Sequence, residues 1–172
     1  NMDKKYKLTE ETISVNGKTL YRIEALKDFG DVKKGDKGGY VEKEENVSQS
    51  GDCWAYDDAK VYDNSMVFGN AQVCGDAMVC GDAQIYNDAQ IYNDAIVYGD
   101  AKIYGYAKVF DFAEVYGYAK VYDTAKVYDD AKIYGDAQVY GNAVVYGDTI
   151  ICGNAKIYGN AKVYGEADVY DN

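Results

Sequence analysis

The stretch that decides the fold reads Gly135-Asp136-Ala137-Gln138-Val139-Tyr140-Gly141-Asn142-Ala143-Val144-Val145-Tyr146. It repeats a six-residue unit in which a small, a polar, an aliphatic and an aromatic residue are followed by two turn residues. The small position returns every sixth residue from Ala59 to Ala167 and departs from alanine only at Ser65 and Thr149. The chain therefore repeats without insertion over most of its length, and this period is the main guide to its fold.

The order of residues within each unit predicts a short strand and a corner. Side chains of a β-strand alternate between two faces, so the small and aliphatic residues are predicted to face inward together. The first turn residue is Gly, Asn or Asp, which are the residues that accept a left-handed backbone at a tight corner. Strands this short cannot return antiparallel and keep one face inward, so the chain is predicted to coil. With three units in each coil, residues 47–172 would form about seven coils.

The hexads also carry a family resemblance. The units Ile103-Tyr104-Gly105-Tyr106-Ala107-Lys108 and Ile157-Tyr158-Gly159-Asn160-Ala161-Lys162 resemble the hexapeptide repeat of left-handed parallel β-helices. The resemblance implies an all-β fold, a single-stranded left-handed parallel β-helix with three hexads in each coil. The segments Gly35-Asp36-Lys37-Gly38-Gly39-Tyr40-Val41 and Gly51-Asp52-Cys53-Trp54 resemble the leader of uncharacterised bacterial and prophage hexapeptide-repeat proteins, which carry transferase or polymer-forming labels.

A β-hairpin is predicted near the start of the chain. Asn16-Gly17 lies between two alternating segments and is the signal of a type I′ turn, here joining residues 12–15 and 18–23. A bare sheet end would recruit other chains, so we expect this hairpin to cap the first coil.

The segment between the hairpin and the regular repeat is predicted to be a loop. Residues 28–45 are rich in glycine and charge, and they would lead into an imperfect first coil around Tyr40-Val41. A phosphate-binding loop is disfavoured because the strand-GxxxxGK[S/T]-helix context is missing. The predicted organisation is a capping segment, residues 1–46, followed by the β-helix, residues 47–172.

Charge and composition limit the possible partners. The chain has 29 acidic and 18 basic residues, a net charge of −11 and one arginine, Arg22, which argues against direct binding to nucleic acid or to an anionic membrane. No apolar run approaches the ~20 residues of a membrane span, and no secretory signal opens the chain. The four cysteines are too scattered on the predicted coils to pair, which suits a reducing compartment. We therefore expect a cytoplasmic location.

Catalysis is not predicted. The resemblance implies acyl transfer with a histidine as general base, but the chain contains no histidine and no loop insertion in the repeat. Aspartates recur at the corners and would form ladders, which could hold Ca²⁺ or could serve only as soluble turn residues. We favour the turn interpretation and predict no cofactor and no metal site.

Tyrosine is unusually abundant, with 20 residues, most of them in the outward aromatic position. Ladders of aromatic residues could stiffen the stacked strands, or they could offer a flat surface to a sugar or to a protein. One coil also has aromatic residues at the second turn position of all three corners, where repeat drift is the alternative explanation. We name this band the aromatic girdle and predict that it binds a partner; its residues are Tyr104, Tyr106, Phe110, Phe112, Tyr116 and Tyr118.

A second surface is predicted to join two copies of the chain. On one face of the coils the outward polar position is apolar at Met78, Ile96 and Ile150, and Tyr98 lies beside them. We name these four residues the self-association face and expect a dimer or a higher homo-oligomer.

The predicted function is a non-catalytic protein-binding or scaffold module that acts through the surface of a rigid acidic β-helix. A bacterial or phage inhibitor of a nucleic-acid-binding partner is a sharper version, because corner carboxylates can stand in for phosphates. Two alternatives stay open. One is carbohydrate or small-ligand binding by a degenerate acyltransferase relative, and the other is a self-assembling structural polymer.

Overall fold

A computed structural model describes residues 3–172, which form a stack of short β-strands with almost no helix. The first two residues of the predicted capping segment lie outside the described residues. The first three strands are long: β1 (Tyr6–Val15), β2 (Lys18–Ala25) and β3 (Lys37–Val41). A short 3₁₀ helix, Glu44–Asn46, follows them.

The regular part of the chain contains strands that begin every six residues. They are β4 (Trp54–Ala55), β5 (Lys60–Val61), β6 (Met66–Val67), β7 (Gln72–Val73), β8 (Met78–Val79), β9 (Gln84–Ile85), β10 (Gln90–Ile91), β11 (Ile96–Val97), β12 (Lys102–Ile103), β13 (Lys108–Val109), β14 (Glu114–Val115), β15 (Lys120–Val121), β16 (Lys126–Val127), β17 (Lys132–Ile133), β18 (Gln138–Val139), β19 (Val144–Val145), β20 (Ile150–Gly153), β21 (Lys156–Ile157), β22 (Lys162–Val163) and β23 (Asp168–Asp171).

Three sheets share these strands and form the three faces of the coil. The ten-stranded sheet has the order β1-β2-β3-β5-β8-β11-β14-β17-β20-β23, the seven-stranded sheet β22-β19-β16-β13-β10-β7-β4, and the six-stranded sheet β21-β18-β15-β12-β9-β6. Every third strand pairs in parallel, as Lys102 does with Lys120, so equivalent residues in successive coils lie 18 positions apart. The predicted all-β parallel β-solenoid of about seven coils is confirmed. The left-handed sense stays a prediction.

The interior of the coils is built from the small and aliphatic positions, as the alternation predicts. Every Ala and every Val or Ile at these positions from Ala71 to Val145 is fully buried. The two departures from alanine are also buried, and their hydroxyl groups find backbone acceptors: Ser65 Oγ donates to the Tyr62 carbonyl at 2.7 Å and Thr149 Oγ1 to the Tyr146 carbonyl at 2.6 Å. The polar substitutions therefore leave no unsatisfied group in the core.

The corners use the left-handed backbone that the sequence predicts. The first turn residue has φ between about 50° and 75° throughout the repeat. Except at Asn93, whose amide donates to the Asp111 carboxylate instead, an Asp or Asn side chain at this position accepts a hydrogen bond from the backbone N–H of the equivalent residue in the next coil. Six such bonds of 2.9–3.3 Å are present, from Gly75 to Asp57, Gly81 to Asp63, Gly105 to Asn87, Asp129 to Asp111, Gly141 to Asp123 and Gly147 to Asp129.

The N-terminal strands extend the ten-stranded sheet. Strands β1 and β2 are antiparallel, with Val15 opposite Lys18, and Asn16 and Gly17 have φ values of 50° and 78°, as a type I′ turn requires. Both strands are longer than predicted because pairing continues past an irregularity between Leu8 and Thr12. The capping role of this hairpin and a boundary at residues 46 and 47 stay predictions.

The segment predicted to be a loop contains strand β3. This strand pairs antiparallel with β2 and parallel with β5, so it joins the hairpin to the coils. A Cβ atom on Gly39 would lie 2.4 Å from the Ala59 carbonyl oxygen. Glycine is therefore required here for close approach of two backbones, and the glycine content that suggested a loop has this physical reason.

Candidate binding surface

The outward aromatic residues stack along all three faces. Tyr86 and Tyr104 have ring centroids 4.9 Å apart and planes 2° apart, and the equivalent pairs along the ladders have centroids 4.7–5.5 Å apart. Burial, with a contribution from the neighbouring Tyr86 and Tyr122, raises the pKa of Tyr104. The ring faces are thus used within the protein, which favours the structural interpretation of the ladders.

Stacking divides the aromatic girdle into two groups. Tyr104, Phe110 and Tyr116 are each covered on both ring faces by the ladder residues of the coils before and after. The corner residues are different, because the exposed fraction is 65% for Tyr106, 61% for Phe112 and 63% for Tyr118. Only the corner half of the girdle therefore offers free aromatic surface.

The backbone holds each corner aromatic in a fixed position. The backbone N–H of Tyr106 donates to the Asp123 carbonyl at 2.7 Å, and that of Tyr118 donates to the Gly135 carbonyl at 2.8 Å. The N–H of Phe112 donates to the Asp129 carbonyl at 3.0 Å. The three side chains project from a rigid scaffold at the three corners of one coil, so little backbone entropy would be lost on binding.

The self-association face is only partly brought together. Met78 pairs with Ile96 in adjacent strands, whereas Glu114 and Lys132 lie between Ile96 and Ile150 in the same sheet. Met78 is half-buried and packs with Leu20 of the hairpin and with Tyr40 and Tyr62. The part of the predicted face nearest the hairpin, at Met78, is thus partly covered from within the chain. Tyr98 stacks on Tyr116. Self-association through the remaining surface stays a prediction.

Buried polar groups at the hairpin end were not predicted. Lys5 is 1% exposed, and its Nζ donates to the Cys53 carbonyl at 2.7 Å, to the Gly51 carbonyl at 3.2 Å and to Cys53 Sγ at 3.5 Å. Burial lowers the pKa of Lys5 against the opposing effect of Cys53, and burial raises the pKa of the Cys53 thiol. The Lys5 ammonium group thus has three acceptors inside the protein, and these bonds attach the N-terminal segment to the first coil.

A groove beside Tyr118 was also not predicted. It has a volume of about 570 Å³ and follows the corner between the ten-stranded and six-stranded sheets. We name it the Tyr118 groove, and its lining residues are Asp82, Gln84, Asp100, Lys102, Tyr118, Lys120, Asp136 and Gln138. Residues within each of its two rows are 18 positions apart in the sequence, and this spacing could have been used to predict the groove.

Residues 3–172 contain no cluster suited to a metal ion, no disulfide bond and no helix suited to cross a membrane. Within residues 3–172 no group of three or more His, Cys, Asp or Glu residues is arranged to hold a metal ion. The cysteines Cys53, Cys74, Cys80 and Cys152 are free thiols. No helix in the described part of the chain has the length and apolar character needed to cross a membrane.

Comparison with known families agrees with the architecture. The family model described as the YdcK Beta solenoid repeat matches residues 71–87, 89–105 and 137–153, three segments that each cover almost one coil. No curated protein matches the chain. The chain is thus a repeat β-solenoid protein with clusters of tyrosine on its surface, and its closer relationship to hexapeptide-repeat proteins stays a prediction.

Proposed function

We propose that the chain is a non-catalytic binding module that holds a protein partner through the corner residues of the aromatic girdle. The observation that supports this proposal is the equal, high exposure of Tyr106, Phe112 and Tyr118 on one coil. Exposed aromatic residues concentrated on a rigid surface are typical of the residues that dominate binding energy.

Charge would select among partners. The net charge of −11 favours a partner with a basic surface and speeds its encounter with the module. A nucleic-acid-binding protein has such a surface, so inhibition by mimicry of a phosphate backbone is the sharper form of the proposal. The lysines in the outward rows reduce the negative charge of the faces. Mimicry of a phosphate backbone would therefore depend on the carboxylates at the corners.

A capture experiment with matched variants tests the proposal. The chain is immobilised and exposed to bacterial lysate with and without nuclease, in parallel with the triple variant Tyr106→Ser, Phe112→Ser, Tyr118→Ser. A control triple variant, Tyr158→Ser, Tyr164→Ser, Tyr170→Ser, removes three aromatic residues whose exposed fractions are 59%, 59% and 63%.

We expect a protein that is retained by the parent chain and by the control but lost by the girdle variant, and retained after nuclease treatment. Circular dichroism would show that both variants keep the β-structure. Equal loss of the partner from both triple variants would mean that general surface hydrophobicity, and not the girdle, holds the protein. No retained protein at all would contradict the proposed function.

A further inference from the structure

The Tyr118 groove is built from two parallel rows of side chains. One row contains Gln84, Lys102, Lys120 and Gln138, which occupy the outward polar position of four successive strands in the six-stranded sheet. The other row contains the corner residues that precede them by two positions, Asp82, Asp100, Tyr118 and Asp136. At the spacing of strands in a sheet, four coils extend over roughly 14 Å, so the groove suits an elongated ligand.

The polar groups that line the groove are almost free of partners within the protein. All the ion pairs of the described residues lie in residues 3–63, and none of them includes Lys102 or Lys120. Gln138 Oε1 accepts a hydrogen bond from Tyr122 at 3.0 Å, and it is the single lining side chain that makes one within residues 3–172. Hydrogen-bond donors and acceptors therefore remain available along both sides of the groove.

The balance of charge indicates the chemical class of the ligand. The lining includes three carboxylates and two ammonium groups, so neither a phosphate nor a strongly cationic ligand would find a favourable field. The amides, carboxylates and ammonium groups of the two rows supply both donors and acceptors, which suits a ligand whose groups each donate and accept hydrogen bonds. Hydroxyl groups have this property.

The exposed ring of Tyr118 completes the site. Its exposed fraction is 63%, and it lies in the corner row between Asp100 and Asp136. The negative face of an aromatic ring attracts the weakly positive C–H groups on the apolar face of a pyranose. We propose that the Tyr118 groove binds a neutral oligosaccharide, which stacks one sugar on Tyr118 and hydrogen-bonds its hydroxyl groups to the two rows.

The corner at Phe112 provides an internal comparison. Phe112 has nearly the same exposed fraction, 61%, and it also lies between two aspartates of its own column, Asp94 and Asp130. The outward row beside it contains Ile96 and Glu114 where the Tyr118 groove has two lysines. An aromatic residue flanked by carboxylates is thus common to both corners, whereas the paired lysines of the outward row are present at the Tyr118 corner and absent at the Phe112 corner. This inference goes beyond the proposed function because it assigns a ligand to one corner alone.

An array of neutral and anionic oligosaccharides tests the inference, followed by calorimetric titration with the neutral oligosaccharide that gives the strongest signal. The parent chain is compared with Tyr118→Ser, with Lys102→Met and with Phe112→Ser as the matched control. We expect Tyr118→Ser to weaken binding by about tenfold or more, as loss of a central aromatic contact does. Lys102→Met should weaken binding by about threefold to tenfold, and Phe112→Ser should leave the affinity unchanged.

Three results would overturn the inference. The first is no binding of any neutral oligosaccharide at concentrations up to about 10 mM, and the second is binding confined to anionic oligosaccharides. The third is equal weakening by Tyr118→Ser and Phe112→Ser. A protein partner captured through the girdle without any oligosaccharide binding would refute the groove and leave the proposed function standing.

Discussion

The hydrogen bond between Asp129 and the next coil gives a prediction that can be worked out in detail. Asp129 has a left-handed backbone with φ of 54°, and its Oδ2 accepts a hydrogen bond of 2.9 Å from the N–H of Gly147. Asp and Asn accept this backbone more easily than alanine does. Substitution at this position therefore separates the energy of the hydrogen bond from the strain of the backbone.

The expected free energies differ among three substitutions. Asp129→Ala loses a charge-assisted hydrogen bond. It also places alanine, whose side chain makes no local hydrogen bond, in a left-handed conformation. Together these two costs should lower the free energy of unfolding by about 2–3 kcal/mol. Asp129→Gly loses the bond but relieves the strain, and should cost about 1 kcal/mol. Asp129→Asn keeps an acceptor oxygen and should cost less than about 1 kcal/mol.

Urea unfolding followed by circular dichroism measures these differences. The matched control is Asp130→Ala, because Asp130 is exposed, makes no side-chain hydrogen bond within the described residues and carries the same charge. This control should change the free energy of unfolding by no more than about 0.5 kcal/mol. The reasoning would be refuted if Asp129→Gly were as destabilising as Asp129→Ala, or if the Asp130 control matched either of them.

Two further predictions concern the core and the hairpin. Ile133→Ala should lower the free energy of unfolding by about 3 kcal/mol because Ile133 is fully buried. Lys132→Ala on the outer face should change it little. Equal effects of the two substitutions in urea unfolding would contradict the prediction that Ile133 faces inward. Asp63→Asn should lower the melting temperature at neutral pH and make it less sensitive to acid. Burial alone would raise the pKa of Asp63, but hydrogen bonds from Lys18 and from the Gly81 N–H outweigh it and hold the pKa below 3.8. The stabilisation is present above pH 3.8 and is lost as the pH falls through the lower pKa that Asp63 has in the folded protein. The melting temperatures of parent and variant should therefore converge in acid. A constant difference in melting temperature down to pH 2 would contradict this prediction.

The repeat made the coil architecture predictable because each strand pairs with its equivalents one coil before and one coil after. The inward positions from Ala71 to Val145 and the left-handed corners follow from a period and from local backbone chemistry, and both are visible in a single chain. The aromatic ladders also follow from the period. Their consequence for the girdle was missed, since stacking covers Tyr104, Phe110 and Tyr116 and leaves only the corner residues free.

The remaining features depend on contacts that no period describes. Met78 packs against the cluster that Leu20 of the hairpin forms with Tyr40 and Tyr62, and the sequence contains no signal that the hairpin meets the repeat there. The same holds for the burial of Lys5 against Cys53, which joins residues 48 positions apart. Asn46 is another example, because its amide donates to the carbonyls of Asp63 and Ser65 in the following coil. Such contacts are particular to one pair of segments, so pattern alone could not predict them.

The 18-residue register between coils makes the length of this protein a quantity that changes in steps. Deleting residues 120–137 would bring Gln138 to the place of Lys120 under Lys102, and every column of corner and core residues would stay continuous. Deleting only residues 120–125 would bring Lys126 there instead, and Asp111 would then lie above Gly135. Related chains can therefore gain or lose whole coils while each face keeps its own residues. Gain or loss of a single hexad instead moves every later residue to a different face.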